Sequence, residues 1–155
     1  MRNGGVERAS WSSRDDGRCR VVLVEDQEDL RTLTSMVLRA RGHEVAEAEN
    51  GLTGLQTIER EAPDVAFVDL GLPELSGYDI ARHVRSQPRL ESVFLVALTG
   101  YVGRSDVQAA LASGFDLHIA KPATAEVLER VLRLASRNCS RRGWSAARGA
   151  ARPVA

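Results

Sequence analysis

Short runs of β-branched and apolar residues alternate along this chain with segments whose apolar residues recur at helical spacing, and that alternation leaves few folds open. Residues 19–24 read CRVVLV, a run suited to a strand buried on both faces, and it closes at Glu25 and Asp26. After Asp26, the residues Leu30, Leu33, Val37 and Leu38 mark a helix that stops at Gly42. Residues 44–48 form a weaker strand, after which Asn50 can cap a helix carrying Leu52, Leu55 and Ile58 that ends before Pro63. Residues 65–68 and 93–98 are further apolar runs, closed by Asp69 and Thr99. Between them Ser76 can cap a helix with Ile80 and Val84 on one face. A helix with Val107, Ala110 and Leu111 stops at Gly114, a short strand covers about 116–120, and Val127, Leu128, Val131 and Leu132 mark the last helix. Five strands alternating with five helices predict a compact α/β domain with a parallel sheet over residues 19–136. No internal repeat is apparent.

Composition narrows the function. With 43% apolar and 27% charged residues in 155, the chain has the make-up of one ordinary soluble domain. No apolar run is long enough to span a membrane and the N-terminus has no apolar core for a signal peptide, so the expected location is the cytoplasm. Cys19 and Cys139 stand far apart with no CxxC and no nearby His, which reads as two free thiols. Charge is unevenly spread: residues 1–20 hold five Arg and three acids, residues 133–155 hold six Arg and no acid, and the part between is strongly acidic. An acidic body argues against direct nucleic-acid binding. The Arg-rich segments 1–18 and 137–155 read as solvated, mobile tails. Of the 21 basic residues only Lys121 is a lysine, which marks a place where a slender point charge is wanted, or chance.

In an open parallel sheet the ligand site lies beyond the carboxyl ends of the strands. Here those ends carry Glu25 and Asp26, then Asp69, Thr99 and Lys121. Three carboxylates in one pocket repel unless a cation compensates. An oxygen-only donor set favours a hard divalent ion such as Mg²⁺. Such a pocket can accept a phosphoryl group, with one carboxylate as nucleophile and Thr99 and Lys121 holding its oxygens. Each residue singly also has a structural reading: Glu25 and Asp26 as helix caps, Asp69 as a turn residue, Thr99 as a loop start. Their joint placement at strand ends favours the functional one.

The segments VLVEDQEDL, FVDLGLPELSGYD, VALTGY and GFDLHIAKP resemble the receiver domain of two-component response regulators, over about 117 residues. The resemblance implies a doubly wound, flavodoxin-like sheet of order 2-1-3-4-5, an Mg²⁺ site in which Mn²⁺ could substitute, and phosphorylation by a histidine kinase or phosphotransfer protein. It implies Asp69 as phosphoacceptor, Asp26 and the Gly71 carbonyl as metal ligands, Glu25 as a neighbour acting through water, and Thr99 and Lys121 as phosphoryl-binding groups. A downstream protein target follows, and a homodimer stays open. Two features depart from the family pattern: Glu25 stands where Asp is common, and His118 stands where Tyr or Phe often serves as a switch. Gly71 and Tyr101, two residues beyond Asp69 and Thr99, imply slow self-dephosphorylation, because Gly71 cannot orient water and Tyr101 can cover the phosphoryl group.

Rival functions are weaker. An aspartate-nucleophile phosphatase resembles a DxD pattern, which Asp69-Leu70-Gly71 lacks, and the acidic first turn EDQED would repel a dinucleotide pyrophosphate. A receiver-fold interaction module with little or no phosphorylation, or the receiver portion of a hybrid histidine kinase, remain as alternatives to a single-domain phosphoacceptor.

Overall fold

A computed structural model describes residues 17–100 and 104–139. The elements follow one another as β1 Arg20–Val24, α1 Glu28–Ala40, β2 Glu44–Ala48, α2 Gly51–Glu61, β3 Val65–Asp69, α3 Gly77–Arg85, β4 Phe94–Thr99, α4 Arg104–Ser113, β5 Leu117–Ala120 and α5 Ala125–Cys139. The strands form one sheet in the order β2-β1-β3-β4-β5, with every pair parallel. The alternation read in the sequence thus stands, as does the doubly wound order. A 3₁₀ turn at Pro88–Leu90, which the sequence pattern does not announce, buries Leu90 ahead of β4. The tails expected over 1–18 and 137–155 lie, apart from the residues adjoining the sheet and α5, outside the described residues. The last helix runs past position 136 to Cys139. No helix among the described residues is long and apolar enough to cross a membrane.

Strand side chains alternate between the two faces of the sheet, and each face has its own core. Val21, Leu23, Val65, Phe67, Phe94, Val96 and Leu98 pack with Leu38 of α1 and Leu128, Val131 and Leu132 of α5. Val22, Val24, Ala66, Val68, Leu95 and Ala97 pack instead with Leu55 and Ile58 of α2, Ile80 and Val84 of α3, and Ala110 of α4. Each fully buried Val, Leu or Phe contributes about 1.5–3 kcal/mol. These contributions hold the central strands, and hence their carboxyl ends, in place.

Local signals set the helix starts. Asn50 accepts from the Thr53 amide at 2.9 Å to begin α2. Ser76 and Asp79 form a reciprocal capping box at the start of α3. A left-handed Ala62, with φ of 42°, ends α2 just before Pro63.

Three of the periodic apolar residues are exposed: Leu33 is 59% exposed, Leu52 56% and Leu111 41%. The reason is visible on α2, which approaches β1 through Gly54. A Cβ there would lie 2.6 Å from Val24 Cγ1, so the helix face is set by a glycine and not by Leu52. On α1 the buried positions are Ser35 and Leu38. Cys19 is buried and in no disulfide, its Sγ 3.8 Å from the Leu132 carbonyl oxygen, while the side chain of Cys139 lies outside the described residues.

Candidate functional site

Strand parity decides which of the strand-end residues can meet. Glu25 continues the series Val21, Leu23, and Asp69 the series Val65, Phe67, so both point to the α1/α5 side of the sheet. Val24 is paired with Val68, so the next positions, Glu25 and Asp69, stand side by side at the ends of adjacent strands. Lys121 follows Leu117 and Ile119 on the same face, but β4 separates its strand from β3. Neighbouring strands are about 4.8 Å apart, so only a long, slender side chain reaches Asp69 from there.

Lys121 makes that reach. Its Nζ lies 2.9 Å from Asp69 Oδ2 and 3.0 Å from Glu25 Oε2. Glu25 is 1% exposed and Asp69 4%, so this is a buried cluster and not a surface ion pair. The second oxygens are also held: the Gln27 amide donates to Glu25 Oε1 at 3.2 Å, and the Gly71 amide to Asp69 Oδ1 at 2.9 Å. The Lys121 amide donates to the Thr99 carbonyl at 2.7 Å, which ties the two strand ends together, and the Lys121–Pro122 peptide bond is cis. An open cleft of about 570 Å³ leads to the cluster, lined by Asp26, Leu30, Asp69, Gly71, Thr99 and Lys121 among others.

Electrostatics favour positive charge here. Burial pushes the Glu25 carboxyl above its ordinary pKa, and the hydrogen bonds from Lys121 and Gln27 only partly offset this. Burial works against the Lys121 ammonium too, but hydrogen bonds to Asp69 and Glu25 and their charges outweigh it and raise its pKa. Glu25 thus holds its proton more tightly chiefly because it is buried, and Lys121 because two carboxylates surround its ammonium. One carboxylate oxygen from each of Glu25, Asp26 and Asp69 lies within 4.8 Å of the others, with Asp26 exposed to the cleft. An all-oxygen, electron-rich set open on one side fits a hard divalent cation that keeps some of its waters.

Of the strand-end residues singled out in the sequence, Asp26, Asp69, Thr99 and Lys121 come together with Gly71 around one cleft, and Glu25 is buried against Lys121. His118 does not join them. Its place on β5 shares the parity of Asp116 and Ala120, opposite to that of Lys121. It is half-buried, its Nε2 is buried without a hydrogen-bond partner among the described residues, and burial lowers its pKa while Asp106 on α4 pulls the other way. Tyr101 lies outside the described residues. Two contributors had no motif to mark them. One is the Gln27 amide; the other is Arg31, whose Nη1 donates to the Glu25 carbonyl at 2.9 Å. A basic residue one turn into the helix that follows the acid pair is the signal that could have pointed to Arg31.

Residues 21–133 match the family described as response regulator receiver domain. The chain is 30% identical over 115 residues to the chemotaxis protein CheY1 of Helicobacter pylori strain 26695, covering 73% of this chain and 93% of that one. It is 31% identical over 127 residues to the transcriptional regulatory protein AfsQ1 of Streptomyces coelicolor, covering 82% of this chain but only 55% of that longer protein. Among solved structures, it superposes with a TM-score of 0.71 and 29% identity on the receiver domain of the sensor histidine kinase PA1611 from Pseudomonas aeruginosa PAO1. That match covers 77% of this chain and 98% of that one, whose active-site cleft coordinates a magnesium ion. The sheet order, the acid and lysine cluster at its carboxyl edge and these matches together establish that the chain belongs to the response regulator receiver family.

Proposed function

We propose that Asp69 receives a phosphoryl group from a phosphohistidine on a histidine kinase or phosphotransfer protein, and that the phosphorylated protein signals in the cytoplasm by binding a downstream protein. The observation that carries this reading is the contact of one ammonium, Lys121, with two buried carboxylates in an open cleft. In the transfer an Asp69 oxygen attacks phosphorus, the P–O bond forms as the P–N bond breaks, and the electron pair leaves with the imidazole, which takes up a proton. Asp26, Asp69 and the Gly71 carbonyl would hold Mg²⁺ or Mn²⁺, with Glu25 beside them. The bound ion supplies Lewis-acid stabilisation of the charge on the phosphoryl oxygens.

The chain's own groups do the rest. Gly71 and Lys121 hold the two Asp69 oxygens in a fixed orientation, so the nucleophile is aligned before the donor arrives. Lys121 and the Thr99 hydroxyl then bind phosphoryl oxygens. Residues 19–136, with the last turn of α5, are assigned to this unit.

The test is labelling by a phosphorylated histidine protein or acetyl phosphate with and without Mg²⁺. Labelling of the parent that requires the metal and is absent in Asp69→Asn is expected. Metal-dependent, acyl-phosphate-type labelling that persisted in Asp69→Asn would show the phosphoacceptor to be another residue.

A further inference from the structure

The helix that begins beside the acid pair is anchored differently from the next two. At the start of α1, Gln27 makes no side-chain capping bond, whereas Asn50 and Ser76 cap α2 and α3. The corner between β1 and α1 is held instead from inside the helix. The Arg31 guanidinium turns back and donates through Nη1 to the Glu25 carbonyl at 2.9 Å. Its Nε lies 3.9 Å from Glu47 Oε1 on β2, and the side chain is only 15% exposed. Glu47 is itself gripped by Arg39, whose Nη2 lies 3.1 Å from Glu47 Oε2 and donates to the Val45 carbonyl at 3.0 Å. Arg31 thus lies with its Nε beside a carboxylate of the edge strand while its outer nitrogen holds the Glu25 carbonyl.

The carbonyl that Arg31 holds belongs to the peptide joining Glu25 to Asp26. That matters because the two acids are secured differently. Glu25 has donors on both carboxylate oxygens. The Asp26 carboxylate is exposed, and no hydrogen bond or ion pair holds it among the described residues, so beyond its own side-chain rotation only its backbone sets where it can reach.

We propose that Arg31 is a positioning residue for the divalent-cation site. By locking the Glu25–Asp26 peptide it aims the unsupported Asp26 carboxylate at the place where Glu25 and Asp69 converge. This rests on the reading of those three acids as a cation site. Two physical effects of removing Arg31 have opposite signs. Its positive charge repels a cation, so loss of charge alone tightens Mg²⁺ binding. Loss of the hydrogen bond frees the peptide and lets Asp26 swing, which weakens binding. A role only in overall stability leaves the affinity of the folded protein where it was. The sign of the change therefore separates positioning from both.

The experiment is calorimetric titration of MgCl₂ into the full chain, stripped of metal, as parent, Arg31→Met and Arg31→Lys, with folding checked by urea denaturation. Substituting groups that support metal ligands typically costs about 10–100-fold in affinity, and a loss of about tenfold is expected for Arg31→Met. Arg31→Lys, which keeps the charge but cannot span the Glu25 carbonyl and Glu47 together, is expected to fall between it and the parent. In the metal-free protein the amide resonances of Asp26 and Gln27 are expected to shift in both variants. Equal or tighter Mg²⁺ binding by folded Arg31→Met overturns the proposal; if that variant does not fold, equal or tighter binding by Arg31→Lys overturns it. A parent that binds no Mg²⁺ brings down the cation site itself and Arg31's role with it. A parent that binds Mg²⁺ no better than Arg31→Met removes only the role of Arg31.

Discussion

Lys121 Nζ lies 2.9 Å from Asp69 Oδ2 although a whole strand, β4, separates the strands that carry them. The same ammonium also touches Glu25, at 3.0 Å, so one side chain bridges two buried carboxylates, one just past the end of β1 and one at the end of β3. Arginine, used at 20 of the 21 basic positions, has a planar head too broad for that task.

Removing this ammonium leaves Glu25 and Asp69 buried with too little counter-charge. Lys121→Met is expected to lose about 2 kcal/mol of stability near neutral pH in the absence of metal, as breaking a partly buried ion pair does. Mg²⁺ should restore part of it. Urea denaturation with and without MgCl₂ checks this, and a variant as stable as the parent in EDTA would show that Lys121 is not needed to balance the acids. Lys121→Arg is expected to fail in phosphorylation-dependent partner binding even where the fold survives, and a near-normal response would return the lone lysine to chance.

Gly77 opens α3 directly behind the proposed phosphoacceptor. A Cβ there would lie 2.6 Å from the Asp69 carbonyl oxygen and 3.0 Å from Leu70 Cα, both backbone atoms that cannot step aside cheaply. Gly77→Ala is expected to destabilise the protein by about 1–3 kcal/mol, as overpacking does, and to slow phosphorylation by displacing Asp69. Thermal unfolding and labelling rates measured on the same samples decide it; unchanged values in both would mean the loop yields.

Gly71 leaves the approach to Asp69 bare. A Cβ at this position would lie 3.5 Å from Asp69 Oδ1, an ordinary contact, so a side chain can be added without distortion. Gly71→Gln, which supplies an amide able to align water, is expected to shorten the life of the phosphorylated state several-fold. The decay of phosphoprotein after removal of the donor measures this. Equal lifetimes would show that water access is limited elsewhere.

His118 makes stability depend on pH with a definite sign. Burial depresses its imidazole pKa in the folded state, although Asp106 opposes the shift. The contribution is therefore present above the ordinary imidazole pKa and is lost as pH falls from there toward the lower folded value. The unfolding free energy of the parent is expected to drop more steeply between about pH 7 and pH 5 than that of His118→Phe, the titration range of imidazole. Parallel curves would leave His118 without influence. Should activation bury the ring further, partner binding by the phosphorylated protein would weaken over the same range, and His118→Phe would remove that dependence.

Local pattern carried the alternation of strands and helices, because side-chain period and capping chemistry are short-range: Asn50 and Ser76 start their helices as their sequence contexts predict. It also carried the list of strand-end residues, since Glu25, Asp26, Asp69, Thr99 and Lys121 each close an apolar run. The order of the strands rested on family resemblance, because pairing between β1 and β3 joins residues more than forty positions apart and leaves no local trace. Which apolar residues stay outside was likewise settled by packing: Gly54 lets α2 close on Val24 and leaves Leu52 in solvent. The same holds for the supports of the site. The Gln27 amide and the Arg31 guanidinium act through backbone placement and a turned-back side chain, and only a folded β1–α1 corner beside β2 brings them to Glu25. Sequence by itself determined which chemical groups stand at the edge of the sheet. The tertiary structure alone decided which of them touch, because contact depends on strand order, side-chain parity and reach across neighbouring strands.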